Sequence, residues 1–166
     1  MKLETERLEL YVLTASQLKL MTEDLKSFEK ELGFTYKGEP LEGEFLDITK
    51  NQIKITEEDY ENYMWHTFWL IVRKSDRIVV GSADFKTVPD ENHQVEIGYG
   101  LSKEFEHHGY MTEAARAMCT YALSNHRVDA VIAETLKDNL PSQRILKRLG
   151  FEKYKEEKTF WWRLSL

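Results

Sequence analysis

Hydrophobic and polar residues follow two different periods along the chain. Short apolar or alternating stretches of strand type occur at residues 8–13, 67–73, 77–85, 94–101, 128–134 and 158–164. Helices are predicted at residues 15–32, 56–64 and 112–125, and a last helix between Asn139 as its cap and Gly150 as its stop. This order of elements predicts a mixed α/β sheet.

Size and composition favour one folded domain. The 166 residues are too few for two full α/β domains, so a single domain over residues 1–166 is expected. With 42% hydrophobic and 31% charged residues, the composition argues against disorder. A single cysteine, Cys119, excludes an internal disulfide framework. No apolar run is long enough for a membrane helix and the charged start lacks a signal-peptide core, so we expect a cytoplasmic protein.

The charge narrows the range of partners. A net charge of −6 argues against a dedicated nucleic-acid binder, because phosphate backbones attract basic proteins. An acidic surface would tolerate a cationic amine, and no membrane partner is expected. The aromatic stretch at residues 159–163 offers an edge suited to a homodimer.

The segment from Glu96 to Ala114 carries the chemistry. A strand containing Gly98 and Gly100 ends, a short loop follows, and a helix begins after Gly109. The first N–H groups of a helix lack partners within it, and the helix dipole adds partial positive charge there. The junction is therefore a candidate anion site, suited to phosphate.

At this point the sequence resembles the GNAT superfamily of acetyl-CoA-dependent N-acetyltransferases, most closely its RimJ/RimL-like branch, which acetylates protein N-terminal amines. The resemblance covers nearly the whole chain, and the combination of motifs in this order is more specific than each motif alone. It rests on Glu4–Leu10, Glu96–Tyr99, Gly109–Ala114, the Asn-x-x-Ser pair Asn139 and Ser142, and Leu149–Phe151.

The resemblance implies a fold and a way of holding acetyl-CoA. The fold would be a central twisted mixed sheet, mostly antiparallel, with one splayed parallel strand pair and helices on both faces. The pantetheine arm would lie in the splayed gap, with Asn139 and Ser142 beside it. Backbone groups would bind the rest of the cofactor: those near Tyr99, Gly100 and Leu101 the pantetheine, and those of His107, His108, Gly109, Tyr110 and Met111 the pyrophosphate.

The resemblance also implies a reaction. A primary amine of a protein N-terminus, a polyamine or an aminoglycoside would attack the thioester directly. Glu96 would remove the ammonium proton through water, and Ser142 would protonate the leaving thiolate. Adjacent His107 and His108 lack the spacing of a helical metal pair, so no metal is expected.

Three residues depart from the family pattern. Glu106 stands where a neutral or basic residue is usual, Met111 replaces a small residue, and Leu146 takes the place of the tyrosine that often acts as the acid. Because of Glu106 and Met111, an acyl-CoA-binding regulatory domain without turnover is the alternative function. The candidate site residues also have simpler interpretations: Glu96 could be only a solvated strand residue or an ion-pair partner, Asn139 only a helix cap and Ser142 only a first-turn residue.

Overall fold

A computed structural model describes all residues, 1–166. The strands are β1 (Lys2–Glu4), β2 (Leu8–Val12), β3 (Thr35–Tyr36), β4 (Phe68–Arg73), β5 (Ile78–Phe85), β6 (Gln94–Leu101), β7 (Ala130–Thr135), β8 (Glu152–Glu156) and β9 (Phe160–Ser165). The helices are α1 (Ala15–Glu23), α2 (Leu25–Leu32), α3 (Gly43–Glu58), α4 (Tyr110–Leu123) and α5 (Leu140–Leu149).

One sheet runs through the chain in the order β1-β2-β4-β5-β6-β7-β9-β8, and the two-residue β3 lies beside β5. Neighbours in that order are antiparallel except for β6 and β7, which run parallel. The predicted fold class, a mostly antiparallel mixed sheet with one parallel pair, is confirmed.

Two hydrophobic clusters cover the two faces of the sheet. The larger one joins α4 and α5 to the sheet and includes Trp65, Trp69 and Trp162, all nearly fully buried. The smaller one lies under α1 and α2 and includes Phe28 and Leu70. Apolar burial is the main force that holds helices onto a sheet, so each face carries its own share of the stability.

The sequence predicted one helix over residues 15–32, and this is wrong. Thr14 caps α1 in a capping box with Gln17, and the helix ends at Glu23 with Asp24 as its C-cap. Asp24 leaves the helical conformation, with φ −147° and ψ 82°, and its carboxylate accepts from the N–H of Ser27 at 3.1 Å. The side chain of an aspartate competes with helical hydrogen bonding, so the apolar period continues while the backbone breaks.

The helix predicted over residues 56–64 is also wrong. Helix α3 ends at Glu58, and a 3₁₀ segment follows at Tyr60–Trp65 after Asp59 leaves the helical conformation. The buried positions of α3 are the polar residues Thr49, Gln52 and Thr56. Phe45 and Ile53 pack against the smaller cluster but are only partly buried, so the apolar period of this helix is weak. That is why the sequence pattern missed most of this helix.

Strands β1, β3 and β8 were not predicted. Strand β8 is exposed at every position, and its residues are charged apart from Tyr154. It forms only because Glu152 to Glu156 pair with β9, and neither its hydropathy nor its composition is typical of a strand. None of the helices combines the length and apolar character that crossing a membrane would require.

Candidate active site

The parallel pairing of β6 and β7 stops before either strand ends. The last paired residues are Glu96 and Ile132, but β6 continues to Leu101 and β7 to Thr135. On its other edge β6 remains paired with β5 as far as Leu101. A gap therefore opens inside the sheet beyond Glu96.

The backbone of β6 presents peptide groups to this gap. The N–H of Lys86 donates to the carbonyl of Glu96, and the N–H of Ser102 donates to that of Val80. Antiparallel strands alternate in direction, so Glu96, Gly98 and Gly100 bond toward β5. The peptide groups of Tyr99 and Leu101 then face β7, where no strand pairs with them.

A cavity of about 380 Å³ lies at the gap. It brings together four of the predicted site residues, Glu96, Tyr99, Asn139 and Ser142. The remaining lining residues are Lys86, Ile97, Gly98, Ala133, Glu134, Leu136 and Thr159. The cavity thus joins the strand that carries the predicted base to the start of α5, which carries the predicted acid.

Glu96 is half-buried in this cavity, and its carboxylate makes no hydrogen bond or ion pair. Burial raises the pKa of its carboxyl group, and the nearby carboxylates of Glu134 and Asp84 raise it further, whereas the ammonium of Lys86 lowers it. A carboxylate with a raised pKa and no partner suits a proton acceptor near neutral pH.

Gly98 leaves room for two charged side chains of the neighbouring strand. Asp84 lies directly opposite Gly98 in the β5–β6 register. A Cβ atom on Gly98 would come within 2.7 Å of Asp84 Oδ1 and of Lys86 Nζ. The ammonium of Lys86 lies 3.8 Å from that aspartate oxygen, so the lysine side chain folds back over the glycine.

Asp84 itself is buried, with 6% of its surface exposed. Burial raises the pKa of its carboxyl group, because a charge loses solvation inside the protein, and the ammonium of Lys86 opposes that rise. Lys86 is the only cationic side chain that lines the cavity.

Tyr99 reaches across the gap to α5. Its hydroxyl lies 2.9 Å from Ser142 Oγ, and burial raises the pKa of the phenol. The N–H of Ser142 donates to the Asn139 side chain at 3.2 Å, so the predicted helix cap is present. Leu146, one turn further along α5, is fully buried and offers no polar group.

The loop before α4 presents a row of free donors. Gly109 is the N-cap of α4 with φ +78°, and His107 also has a positive φ, +65°. No backbone or side-chain acceptor of the protein receives the N–H groups from His107 to Thr112. Successive unpaired N–H groups at a helix start favour an anion, and phosphate fits this chemistry.

The side chains of the loop leave this row open. Met111 is 3% exposed and packs in the larger hydrophobic cluster, so its bulk points away from solvent. Its presence in place of a small residue therefore does not block the backbone. His107, His108 and Glu106 are exposed, and their side chains form no ion pair.

Arg7, at the β1–β2 turn, holds the loop from outside. Its guanidinium donates to the carbonyl of His108 at 2.8 Å and to Glu113 at 2.7 Å, and it stacks over the ring of Tyr110. Glu113 also accepts from the hydroxyl of Thr5 at 2.5 Å and from the N–H of Arg7 at 2.8 Å. Burial opposes ionisation of Glu113, but these hydrogen bonds outweigh it and hold its pKa below the ordinary value.

The sequence did not single out Arg7, Asp84 or Lys86 as site residues. The β5 strand did carry a signal, because polar Ser82 and Asp84 alternate with buried residues and mark a polar face. Arg7 carried no such signal, since it meets Glu113 from more than one hundred positions away in the chain. No group of three or more His, Cys, Asp or Glu side chains is arranged to hold a metal ion.

Comparison with known proteins identifies the family of this chain and shows solved structures with the same fold. A family model described as the acetyltransferase (GNAT) domain matches residues 13–152. The uncharacterized N-acetyltransferase YjdG of Bacillus subtilis is 32% identical over 151 residues, which is 90% of this chain and 88% of YjdG.

Two solved structures show the same fold at low identity. The RimL ribosomal L7/L12 α-N-protein acetyltransferase in complex with coenzyme A superposes with a TM-score of 0.72 at 15% identity, covering 100% of this chain and 98% of RimL. The microcin C7 self-immunity acetyltransferase MccE in complex with acetyl-CoA and AMP gives a TM-score of 0.68 at 16% identity, covering 98% of this chain and 94% of that one.

Proposed function

Because the chain belongs to the GNAT acetyltransferase family, we propose that it transfers an acetyl group from acetyl-CoA to a primary amine. The observation that carries the proposal is the pairing of two features on strand β6 and the loop that follows it. One is the row of free N–H groups from His107 to Thr112, and the other is the half-buried carboxylate of Glu96 in the cavity at the gap.

In this proposal different residues bind different parts of acetyl-CoA. The N–H groups of His107, His108, Gly109, Tyr110 and Met111 bind the pyrophosphate, helped by the α4 dipole. The peptide groups of Tyr99 and Leu101, next to Gly100, face the gap and bind the pantetheine amides. Asn139 and Ser142 border the same gap from α5.

The acceptor amine enters the cavity as an ammonium ion. Only the neutral amine is nucleophilic, so Glu96 takes a proton from it, directly or through a water molecule. The nitrogen then forms a bond to the thioester carbon, and the carbon–sulfur bond breaks. Glu96 already holds the first proton, so the surplus proton of the new amide goes to solvent, and the group that protonates the thiolate regains its proton from solvent.

The departing thiolate requires a proton of its own. Tyr99 and Ser142 share a hydrogen bond at the α5 side of the cavity, and the raised pKa of the phenol keeps Tyr99 protonated at neutral pH. We assign the acid to this pair, with Ser142 as predicted from the sequence and Tyr99 as the added member. The buried Leu146 leaves no other hydroxyl on the same face of α5 one turn away.

The acceptor can be a protein N-terminus, a polyamine or an aminoglycoside. All three present a cationic amine, which suits the carboxylates of Glu96 and Glu134 in the cavity. The RimL structure carries a name that describes acetylation of a ribosomal protein, and the MccE name describes a self-immunity enzyme. A peptide that represents a protein N-terminus and small-molecule amines therefore both belong in a substrate screen.

The first test measures binding and transfer separately. Acetyl-CoA at about one hundred times its Kd should stabilise the folded protein by about 2.7 kcal/mol and raise Tm. Thiol release should follow with at least one member of a panel of peptides, polyamines and aminoglycosides. Stabilisation without transfer to any amine would favour the alternative, a regulatory domain that binds the acyl carrier without turnover. The absence of both would overturn the proposal.

The second test concerns the base. Replacing Glu96 with Gln should lower kcat by about 10²- to 10⁴-fold, the usual worth of a general base. It should also remove the acidic limb of the pH–rate profile, because the group whose protonation stops the reaction is gone. A Glu96→Gln variant with an unchanged profile would exclude Glu96 as the base.

A further inference from the structure

Lys86 has no role in the mechanism described so far, although it is the only cation in the cavity. It follows the last residue of β5, and its N–H bonds to the carbonyl of Glu96. Residues paired in this way have Cβ atoms about 5 Å apart and side chains on the same face. Lys86 and Glu96 are therefore direct cross-strand neighbours of opposite charge.

The path of the lysine side chain depends on Gly98. Its ammonium lies above that glycine, 3.8 Å from Asp84, where any larger residue would meet both side chains. The side chain is about half exposed, so it does not require the aspartate in order to remain solvated. A cation that lines the cavity and folds over a glycine toward a buried carboxylate suggests a function in the cavity.

The charges around Glu96 come from two sides. Strand β5 contributes Asp84 and Lys86, and β7 contributes Glu134, whose carboxylate also accepts from the hydroxyl of Thr159. Helix α5 contributes only neutral groups to the cavity, and no side chain of α1, α2 or α3 lines it. Two carboxylates thus disfavour the charged form of Glu96, and one ammonium favours it.

We propose that Lys86 is a positioning residue, which holds its ammonium over Gly98 and keeps the Glu96 carboxylate charged and able to accept a proton at neutral pH. The inference rests on the proposed role of Glu96 as the base. Without Lys86 the burial of Glu96 and the repulsion from Asp84 and Glu134 would act unopposed. The base would then be protonated over a wider range of pH and would accept no proton from the amine.

The direction of the effect can be tested with variants that remove either a positive or a negative charge near Glu96. Lys86→Met keeps an unbranched side chain that is one atom shorter and removes its charge, so it should move the acidic limb of kcat/KM to higher pH. On the acidic limb the rate should fall about 3- to 10-fold, and at high pH it should approach that of the wild type. Lys86→Arg should restore the limb, whereas Glu134→Gln removes a like charge and should move it to lower pH.

Two controls separate this effect from a general loss of charge or of folding. Lys30→Met removes an exposed lysine of α2 and should leave the profile unchanged. Far-ultraviolet circular dichroism and Tm of each variant report folding, and Lys86→Gln provides a second neutral side chain if the methionine destabilises the protein. A uniform loss of activity at all pH values in Lys86→Met would overturn the proposal, because it would indicate a role in shape or amine binding.

A direct titration decides the inference without any turnover. The carboxyl carbon of Glu96 can be followed by NMR in protein labelled at glutamate, with its signal assigned through its loss in Glu96→Gln. Its midpoint should move to higher pH in Lys86→Met and to lower pH in Glu134→Gln. An unmoved midpoint overturns the role of Lys86 even if acetyl transfer is observed. Failure of transfer in every variant and in the wild type overturns the proposed function instead, while the titration still tests the charge pair.

Discussion

Gly109 is the single residue on which the loop before α4 depends most. Its φ of +78° lies in the left-handed region, which costs a residue with a side chain roughly 1–2 kcal/mol. A Cβ atom there would also touch the guanidinium of Arg7 at 3.4 Å. The left-handed conformation of Gly109 fixes the direction of the N–H groups that follow.

Gly109→Ala should therefore weaken acetyl-CoA binding by about tenfold, in addition to lowering stability by about 1 kcal/mol. Gly33→Ala is the matched control, since Gly33 has a φ of +71° at the end of α2 and a Cβ there would meet nothing within 4 Å. It should cost the same stability and leave binding unchanged. Calorimetric titration with acetyl-CoA, combined with thermal unfolding, checks both. Equal affinities in the two variants would mean that the loop geometry is not needed for the cofactor.

At this scale the sequence was informative where chemistry is local. The helix start at Gly109 and the helix cap at Asn139 could be predicted from local chemistry. Glu96 was singled out by the resemblance to the family, and its role as the base stays a prediction. The surroundings of these residues could not be predicted. The partners that set the ionisation of Glu96 come from two different strands, and a single sequence does not show which strands are neighbours.

Among elements, the turn between β1 and β2 and the start of α4 are joined by one ion pair with several hydrogen bonds. Arg7 connects the carbonyl of His108 to Glu113, and Glu113 in turn binds back to Thr5 and to the Arg7 backbone. The turn thereby restrains the loop that we propose binds pyrophosphate. This is a role for the N-terminal strands beyond completing the sheet.

Removing this restraint should weaken the binding of acetyl-CoA more than it lowers the rate of turnover. Arg7→Ala should raise KM for acetyl-CoA about 3- to 10-fold with a smaller change in kcat, because the loop loses order before binding. Glu113→Gln should have a similar effect, and the double variant should be no worse than the larger single effect, since one connection is lost. Arg144→Ala, an exposed arginine of α5 without an ion pair, serves as the control. Additive losses in the double variant would contradict a shared restraint.

The elements themselves were predicted unevenly, and the reason is packing. Strands β4 to β7 were found with small errors at their ends because they are apolar on at least one face. Helix α3 was largely missed because Thr49 and Gln52 face inward, where the pattern leads one to expect apolar residues. Strand β8 was missed because its partner β9, not its own composition, makes it a strand.

Across the whole molecule, carboxylates are held in two opposite electrostatic states. Glu9 is nearly buried, but hydrogen bonds from Lys2 and Arg77 outweigh its burial and keep its pKa below the ordinary value. Asp84 is equally buried, and the ammonium of Lys86 at 3.8 Å does not offset the effect of burial, so its pKa is raised. The first carboxylate stabilises the fold when ionised, and the second destabilises it.

The two should respond to pH with opposite signs. The stability contribution of Asp84 is present below its unfolded pKa of about 3.9 and is lost as pH rises through its folded pKa, so Asp84→Asn should raise Tm near neutral pH and little at acidic pH. Glu9→Gln should lower Tm near neutral pH, and the difference should shrink as pH falls through its lowered pKa. Thermal unfolding from pH 3 to 8 measures both. A stabilisation by Asp84→Asn that does not depend on pH would contradict the claim that ionisation of this buried carboxyl group destabilises the fold.

The short pairing between β6 and β7 has a mechanical consequence. Within the sheet, only the pairing of residues Gln94 to Glu96 with β7 connects the strands before the gap to those after it. The sheet therefore consists of two halves joined over a short stretch. A ligand that binds to both halves of the sheet holds them together across the gap. Binding affinity and the rigidity of the sheet are then coupled. A substitution that weakens the pairing of β6 with β7 lowers the affinity even if the substituted residue does not contact the ligand.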